Sequence, residues 1–65
     1  MVNNEPQIDS AAIFELRDAA RIIGVNPSTI TRWTVRGLLT CRIRKVNGRR
    51  VWRGSELLRV WRMLY

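Results

Sequence analysis

The 65-residue chain predicts a small α+β domain: two short helices joined by a tight turn, then a two-stranded β-hairpin, then a closing helix. Three observations predict it. Apolar residues recur at helical spacing on both sides of "GVNP" (24–27), Asn47-Gly48 sits between two strand-like runs, and the C-terminal segment regains a helical apolar stripe. A chain this short lies near the lower limit at which an unaided core is stable.

Residues 1–13 are polar, hold Pro6 and lack periodicity, so they read as a flexible N-terminal arm ahead of a domain spanning 14–65. Leu16, Ala19, Ala20 and Ile23 then recur at i, i+3, i+4 and i+7, with Arg17, Asp18 and Arg21 on the other side. The two alanines let a second helix cross closely. Gly24 supplies the left-handed position that ends a helix. Asn26 and Pro27 restart the chain as N-cap and first helical residue. Steps of about 100° per residue put Ile30 and Trp33 inward with Thr34 at their edge. Ser28, Thr31, Arg32 and Val35 point outward, Thr29 and Arg36 flank that face, and Gly37 closes the helix. An outward face of short polar groups and arginine can approach base edges closely, where a merely solvated helix carries more Glu and Lys.

In "CRIRKVNGRRVWR", Asn47-Gly48 predicts a two-residue type I′ loop, which needs positive φ at both positions. That loop sets Val46 opposite Arg49, Lys45 opposite Arg50, Arg44 opposite Val51, Ile43 opposite Trp52 and Arg42 opposite Arg53. One face then holds Cys41, Ile43 and Trp52, ready to pack on the helices. The other holds Arg42, Arg44, Arg49 and Arg53, with Lys45 and Arg50 near the tip. Such a ribbon is either a solvated basic hairpin or one awaiting an anion, and mutual repulsion of its cations favours the second. In "GSELLRVWRMLY", Gly54 or Ser55 is the expected cap and Glu56 suits the positive end of the helix dipole. Leu57, Leu58, Trp61, Leu64 and Tyr65 form its apolar stripe, and Val60 and Met63 fall off it. Trp33, Trp52 and Trp61 are expected to meet in the core.

Charge decides the class of partner. Lys and Arg number 12 against 5 Asp and Glu, a net +7, and every cation except Lys45 is arginine. This balance points to a polyanion, nucleic acid ahead of an anionic membrane surface. With no His and one Cys, neither a zinc cage nor a disulfide framework is available, and Cys41 reads as a small buried apolar residue. The acids Glu5, Asp9, Glu15, Asp18 and Glu56 are scattered and no glycine-rich phosphate loop is present, so neither an enzyme nor a cofactor or small-molecule site is expected. No apolar run approaches the ~20 residues of a membrane span. No basic segment followed by an apolar stretch marks a signal peptide, so a cytoplasmic location is expected.

The stretches "LRDAARIIGVNPSTITRWTVRGLL" and "NGRRVWRGSEL", in this order and over roughly residues 14–64, resemble the MerR-like winged helix-turn-helix group, and within it the small excisionase-type DNA-binding proteins. The resemblance implies that the second helix enters the major groove of double-stranded DNA. By position that role falls on Ser28, Thr29, Thr31, Arg32 and Arg36. It further implies that Arg49 and Arg50 of the wing, beside Arg42, Arg44 and Lys45, grip the backbone or adjacent minor groove. An integrase and further copies of the chain on repeated, bent DNA in a bacterial host would be the implied partners. Glu15 departs from the group, which usually has a Ser or Thr cap at that place. The long dimerising helix and effector domain of larger members are not in the sequence, so metal or drug sensing is not carried over. Two other readings stand beside it: a small transcriptional regulator with the same binding mode, and a membrane or protein-interaction module built on "LLRVWRMLY". RNA is disfavoured because the hairpin offers no row of exposed aromatics.

Overall fold

The computed structural model describes residues 5–65, which run β1 (Ile13–Glu15), α1 (Leu16–Ile23), α2 (Pro27–Val35), β2 (Arg42–Ile43), β3 (Arg50–Arg53) and α3 (Gly54–Leu64). α1 buries Ala19, Ala20 and Ile23 and half-buries Leu16, the face its periodicity predicts. Gly24 ends it at φ +90°, and the Val25 N–H turns back to the Ala20 carbonyl at 3.0 Å. That is the Schellman-type closure a left-handed glycine permits. Asn26 takes the N-cap position of α2 with Pro27 following, but its side chain makes no cap bond. The Asn26 carbonyl instead accepts the Thr29 N–H at 2.9 Å.

The sheet has three antiparallel strands in the order β1-β3-β2, one more than the sequence predicts. β1 pairs Ile13 with Arg53, Phe14 with Trp52 and Glu15 with Val51. Much of the expected arm therefore belongs to the folded body. Ala12 and Ser10 carbonyls accept the Gly54 and Ser55 N–H groups at 2.8 and 2.9 Å, Ile8 packs against the core, and Glu5 forms a two-pronged pair with Arg62. Residues 1–4 of that arm lie outside the described residues. The segment crosses α3 so closely that a Cβ on Gly54 would overlap the Asp9 carbonyl. Arg53, rather than Gly54 or Ser55, is the N-cap of α3, because two backbone carbonyls from this segment already serve its first N–H groups.

The hairpin turns differently from expectation. Arg42 pairs with Val51 and Ile43 with Arg50, and the Arg44 N–H meets the Arg49 carbonyl at 2.8 Å. The loop is thus Lys45–Gly48, closed by the Gly48 N–H on the Arg44 carbonyl at 2.7 Å. Gly48 has φ +69°, whereas no non-glycine residue among those described has positive φ, so the type I′ turn is absent. Asn47 serves through its side chain, whose Oδ1 accepts the Arg49 N–H at 3.0 Å. Register moves by two residues, and a shift of two leaves every side chain on its expected face. What changes is depth. Ile43 now lies opposite Arg50, too far out to reach the helices, and is 58% exposed, while Val46 at the tip is 91% exposed. Val51, among the arginines, is buried because β3 is the central strand.

The core joins Ala19, Ala20, Ile23, Ile30, Leu39, Trp52, Leu57 and Val60. Val60 is therefore a core residue and not a surface one. Leu64 and Tyr65 are instead about half exposed, because the last turn of α3 runs past the edge of the core. Two of the three tryptophans, Trp52 and Trp61, are buried, and the third lies against the core. Trp52 lies in the core, Trp33 is half-buried against it, and Trp61 stacks on Tyr65 at 5.1 Å between ring centroids. Cys41 is half-buried against the same cluster. α3 also fixes the segment between α2 and β2. Arg59 donates to the Leu38 carbonyl at 2.7 Å and to Glu56 at 2.8 Å, and Glu56 accepts the Thr40 N–H at 3.1 Å. The Arg59 hydrogen bond holds the Glu56 carboxyl below its ordinary range against the opposing effect of burial.

Candidate nucleic-acid interface

α2 is anchored from behind and bare in front. Ile30 is fully buried, and the Thr34 hydroxyl donates to the Ile30 carbonyl at 2.8 Å while accepting the Trp52 indole N–H at 3.0 Å. This hydroxyl ties the helix to the central strand of the hairpin. On the opposite side Ser28, Arg32, Val35 and Arg36 are exposed, and Thr29 and Thr31 are half-buried. Arg32 reaches only the Thr29 hydroxyl, at 3.5 Å, and no acidic residue among those described pairs with Arg32 or Arg36. The first turn of α2 contains no acid of its own to offset the positive end of its dipole.

The hairpin cations divide between two faces and the tip. Arg42 and Arg53 share the face of Val51 by register, and Arg44 and Arg49 join them through a common partner, Glu15, which stands opposite Val51 on β1. Arg50 takes the other face, beside Ile43, and Lys45 lies exposed in the loop. The expected grouping of Arg42, Arg44, Arg49 and Arg53 is thus observed.

Between α1, α2 and the wing opens a cleft of about 690 Å³ whose walls include Glu15, Arg17, Thr31, Arg49 and Arg50. It brings a half-buried threonine of α2 and two wing arginines around one concavity, whose remaining walls are Leu16, Asp18, Pro27 and Trp52. Arg17 and Glu15 complete it, and neither was singled out as a site residue from the sequence. Arg17 falls on the outward face of α1, which the periodicity shows, but only the fold reveals that this face borders the wing. Glu15 carried a signal: it occupies the N-cap of α1 yet makes no side-chain cap bond. A Ser, Thr, Asn or Asp there would add ~1 kcal/mol. Glu15 Oε2 instead accepts from Arg44 Nη1 at 3.3 Å, and its Oε1 lies 4.0 Å from Arg49 Nη1. These side chains are 43%, 39% and 71% exposed, and ion pairs so open to water contribute ~0–1 kcal/mol each. Its charge suits the positive end of the α1 dipole, and the same carboxylate also reaches two wing arginines.

No helix among the described residues is long and apolar enough to cross a membrane, and no cluster of three or more His, Cys, Asp or Glu is positioned for a metal. Residues 14–64 match the sequence profile of the family described as MerR HTH family regulatory protein. No curated protein and no solved structure matches the chain.

Proposed function

We infer, since this chain belongs to the MerR family of helix-turn-helix regulatory proteins, that it regulates transcription by reading a double-stranded DNA site with the outward face of α2 while its wing grips the backbone. The observation that carries this reading is an α2 face whose Arg32 and Arg36 meet no acidic partner among the described residues, beside an arginine-lined cleft. Base recognition falls to Arg32, central on that face, with Ser28, Thr29, Thr31 and Arg36 around it. Backbone affinity falls to Arg49 and Arg50 at the cleft and to Arg42, Arg44 and Lys45 on the rest of the wing, and Arg17 joins them from α1.

The test begins with a duplex selected by the protein from a random pool. Arg32→Ala should cost ~1–3 kcal/mol on the selected site, the worth of a bidentate arginine–guanine pair, and much less on random DNA. Arg49→Ala and Arg50→Ala should weaken both DNAs alike, each reducing the magnitude of the log K against log salt slope by about 0.9. An equal loss on both DNAs for Arg32→Ala, or an unchanged slope for the wing pair, overturns the assignment.

The likeness of "LRDAARIIGVNPSTITRWTVRGLL" and "NGRRVWRGSEL" together to excisionase-type proteins favours a second reading, an architectural role beside an integrase with several copies bound in a row. Burial of Val60 shrinks one surface such an array would use, leaving Met63 from that patch. Cooperative filling of adjacent sites and a bend in circularly permuted fragments would establish this role. Independent filling of unbent sites leaves the simple regulator.

A further inference from the structure

We propose that Glu15 is a specificity-determining residue: an internal carboxylate that holds wing arginines Arg44 and Arg49 in register with α2 and must be displaced by the DNA backbone. The inference rests on the DNA-binding reading above and goes beyond it, because it assigns a role to a group whose charge repels the DNA phosphates. Glu15 stands in the wall of the arginine-lined cleft, reaches both arginines through separate oxygens, and makes no side-chain cap bond to α1. Asp18, the other acid of that wall, is paired with Arg21 at 2.6 Å and makes no ion pair with the wing.

Two consequences follow from placing a fixed anion there. A phosphate entering the cleft exchanges one anion for another on the same guanidinium, so backbone contact alone yields less than it would with a free arginine. The tether also sets the distance of these cations from α2 before DNA arrives, so a backbone positioned by correct docking of α2 finds them aligned and has only the carboxylate to displace. Random DNA, bound through backbone contacts in many poses, bears the first effect without gaining from the second. Glu15 therefore separates a cognate site from bulk DNA.

The test compares wild type with Glu15→Gln on the selected duplex and on random duplex. Gln keeps the shape of the side chain and removes its charge, and a melting curve confirms the fold. Affinity for random DNA should rise about two- to fivefold at low salt, the range of an exposed ion pair. The magnitude of its salt slope should grow by up to about 0.9 per arginine released. Affinity for the selected site should rise less, so selectivity falls. In an Arg44→Gln/Arg49→Gln background the substitution should be silent, and Glu5→Gln, which raises net charge equally outside the cleft, should not reproduce the loss of selectivity. Equal gains on both DNAs, no gain, persistence in the double-Gln background, or the same effect from Glu5→Gln would each overturn the role of Glu15. Failure of the wild type to bind any duplex would remove the DNA-binding reading itself, and this inference with it.

Discussion

The outward face of α2 and the wing carry similar side chains held in opposite ways. Behind α2 stand a fully buried isoleucine and a threonine hydroxyl bonded to the Trp52 indole, while in front Arg32 has a single 3.5 Å contact and Arg36 has no ion pair among the described residues. The wing reverses this. Its outer strand is two residues long and shows Ile43 to solvent, yet Arg44 and Arg49 are tethered to Glu15. A fixed backbone with unoccupied side chains suits discrimination, since base edges must be met at defined positions. A lightly held ribbon whose cations are tethered places its charges rather than its backbone. Preorganisation is applied to the scaffold in one region and to the charges in the other.

Breaking the anchor of α2 gives the largest expected effect. Ile30→Ala should cost ~2–5 kcal/mol, including the cavity left behind. At ~0.05–0.15 kcal/mol per residue the whole domain has only a few kcal/mol in hand, so thermal melting should show it largely unfolded near 37 °C or severely destabilised. Val46→Ser at the wing tip should stay within about 0.5 kcal/mol of wild type. Similar melting for the two would mean that α2 and the wing are held alike.

Thr34→Val sharpens the contrast. It keeps the shape of the side chain but leaves the Trp52 N–H without its acceptor, at ~1–3 kcal/mol for a buried donor. For a domain of this size that is about 4–8 °C of melting temperature per kcal/mol. Binding to a selected duplex should fall more than binding to random DNA, because α2 loses its fixed angle to the wing. Equal loss on both would confine Thr34 to stability.

The smallest effect is a pH dependence at Glu56, which ties α3 to the segment leading into the wing. Its folded pKa is lowered from an ordinary value of 4.5, chiefly by the Arg59 hydrogen bond. The stabilisation is therefore present above 4.5 and disappears as pH falls through the lower folded value. Melting followed through that acid range should lose part of its pH dependence in Glu56→Gln, and an unchanged profile would show that the contact is thermodynamically silent.

The helices were legible because their signals are local. Ala19, Ala20, Ile23 and Ile30 announce their faces by spacing, and Gly24 and Gly37 mark the two ends. β1 was not, because Ile-Phe-Glu carries no turn signal and becomes a strand only by pairing with β3 far along the chain. Asn47-Gly48 placed the hairpin but not its register, since Gly48 alone supplies the positive φ and the loop takes in Lys45 and Val46 as well. Val60 was misplaced because a helical projection shows which residues align but not where the core ends along the axis. The α2 face of the candidate site was readable residue by residue. The cleft was not, for Arg17 and Glu15 join it only once β1 lies beside the wing.

The seat of the N-terminal segment on α3 has a consequence for how related chains vary. Ser10 and Ala12 serve the helix through their carbonyls, and any amino acid supplies a carbonyl. Selection on that cap therefore acts on chain path rather than side-chain identity, and leaves those two positions open to substitution. The partner surface has no such latitude, since anything larger than hydrogen at Gly54 collides with the Asp9 carbonyl. A segment whose side chains the cap does not use thus lies opposite a glycine that cannot be enlarged. Both carbonyls lie ahead of the matched residues 14–64, so trimming the chain to that portion would uncover the start of α3.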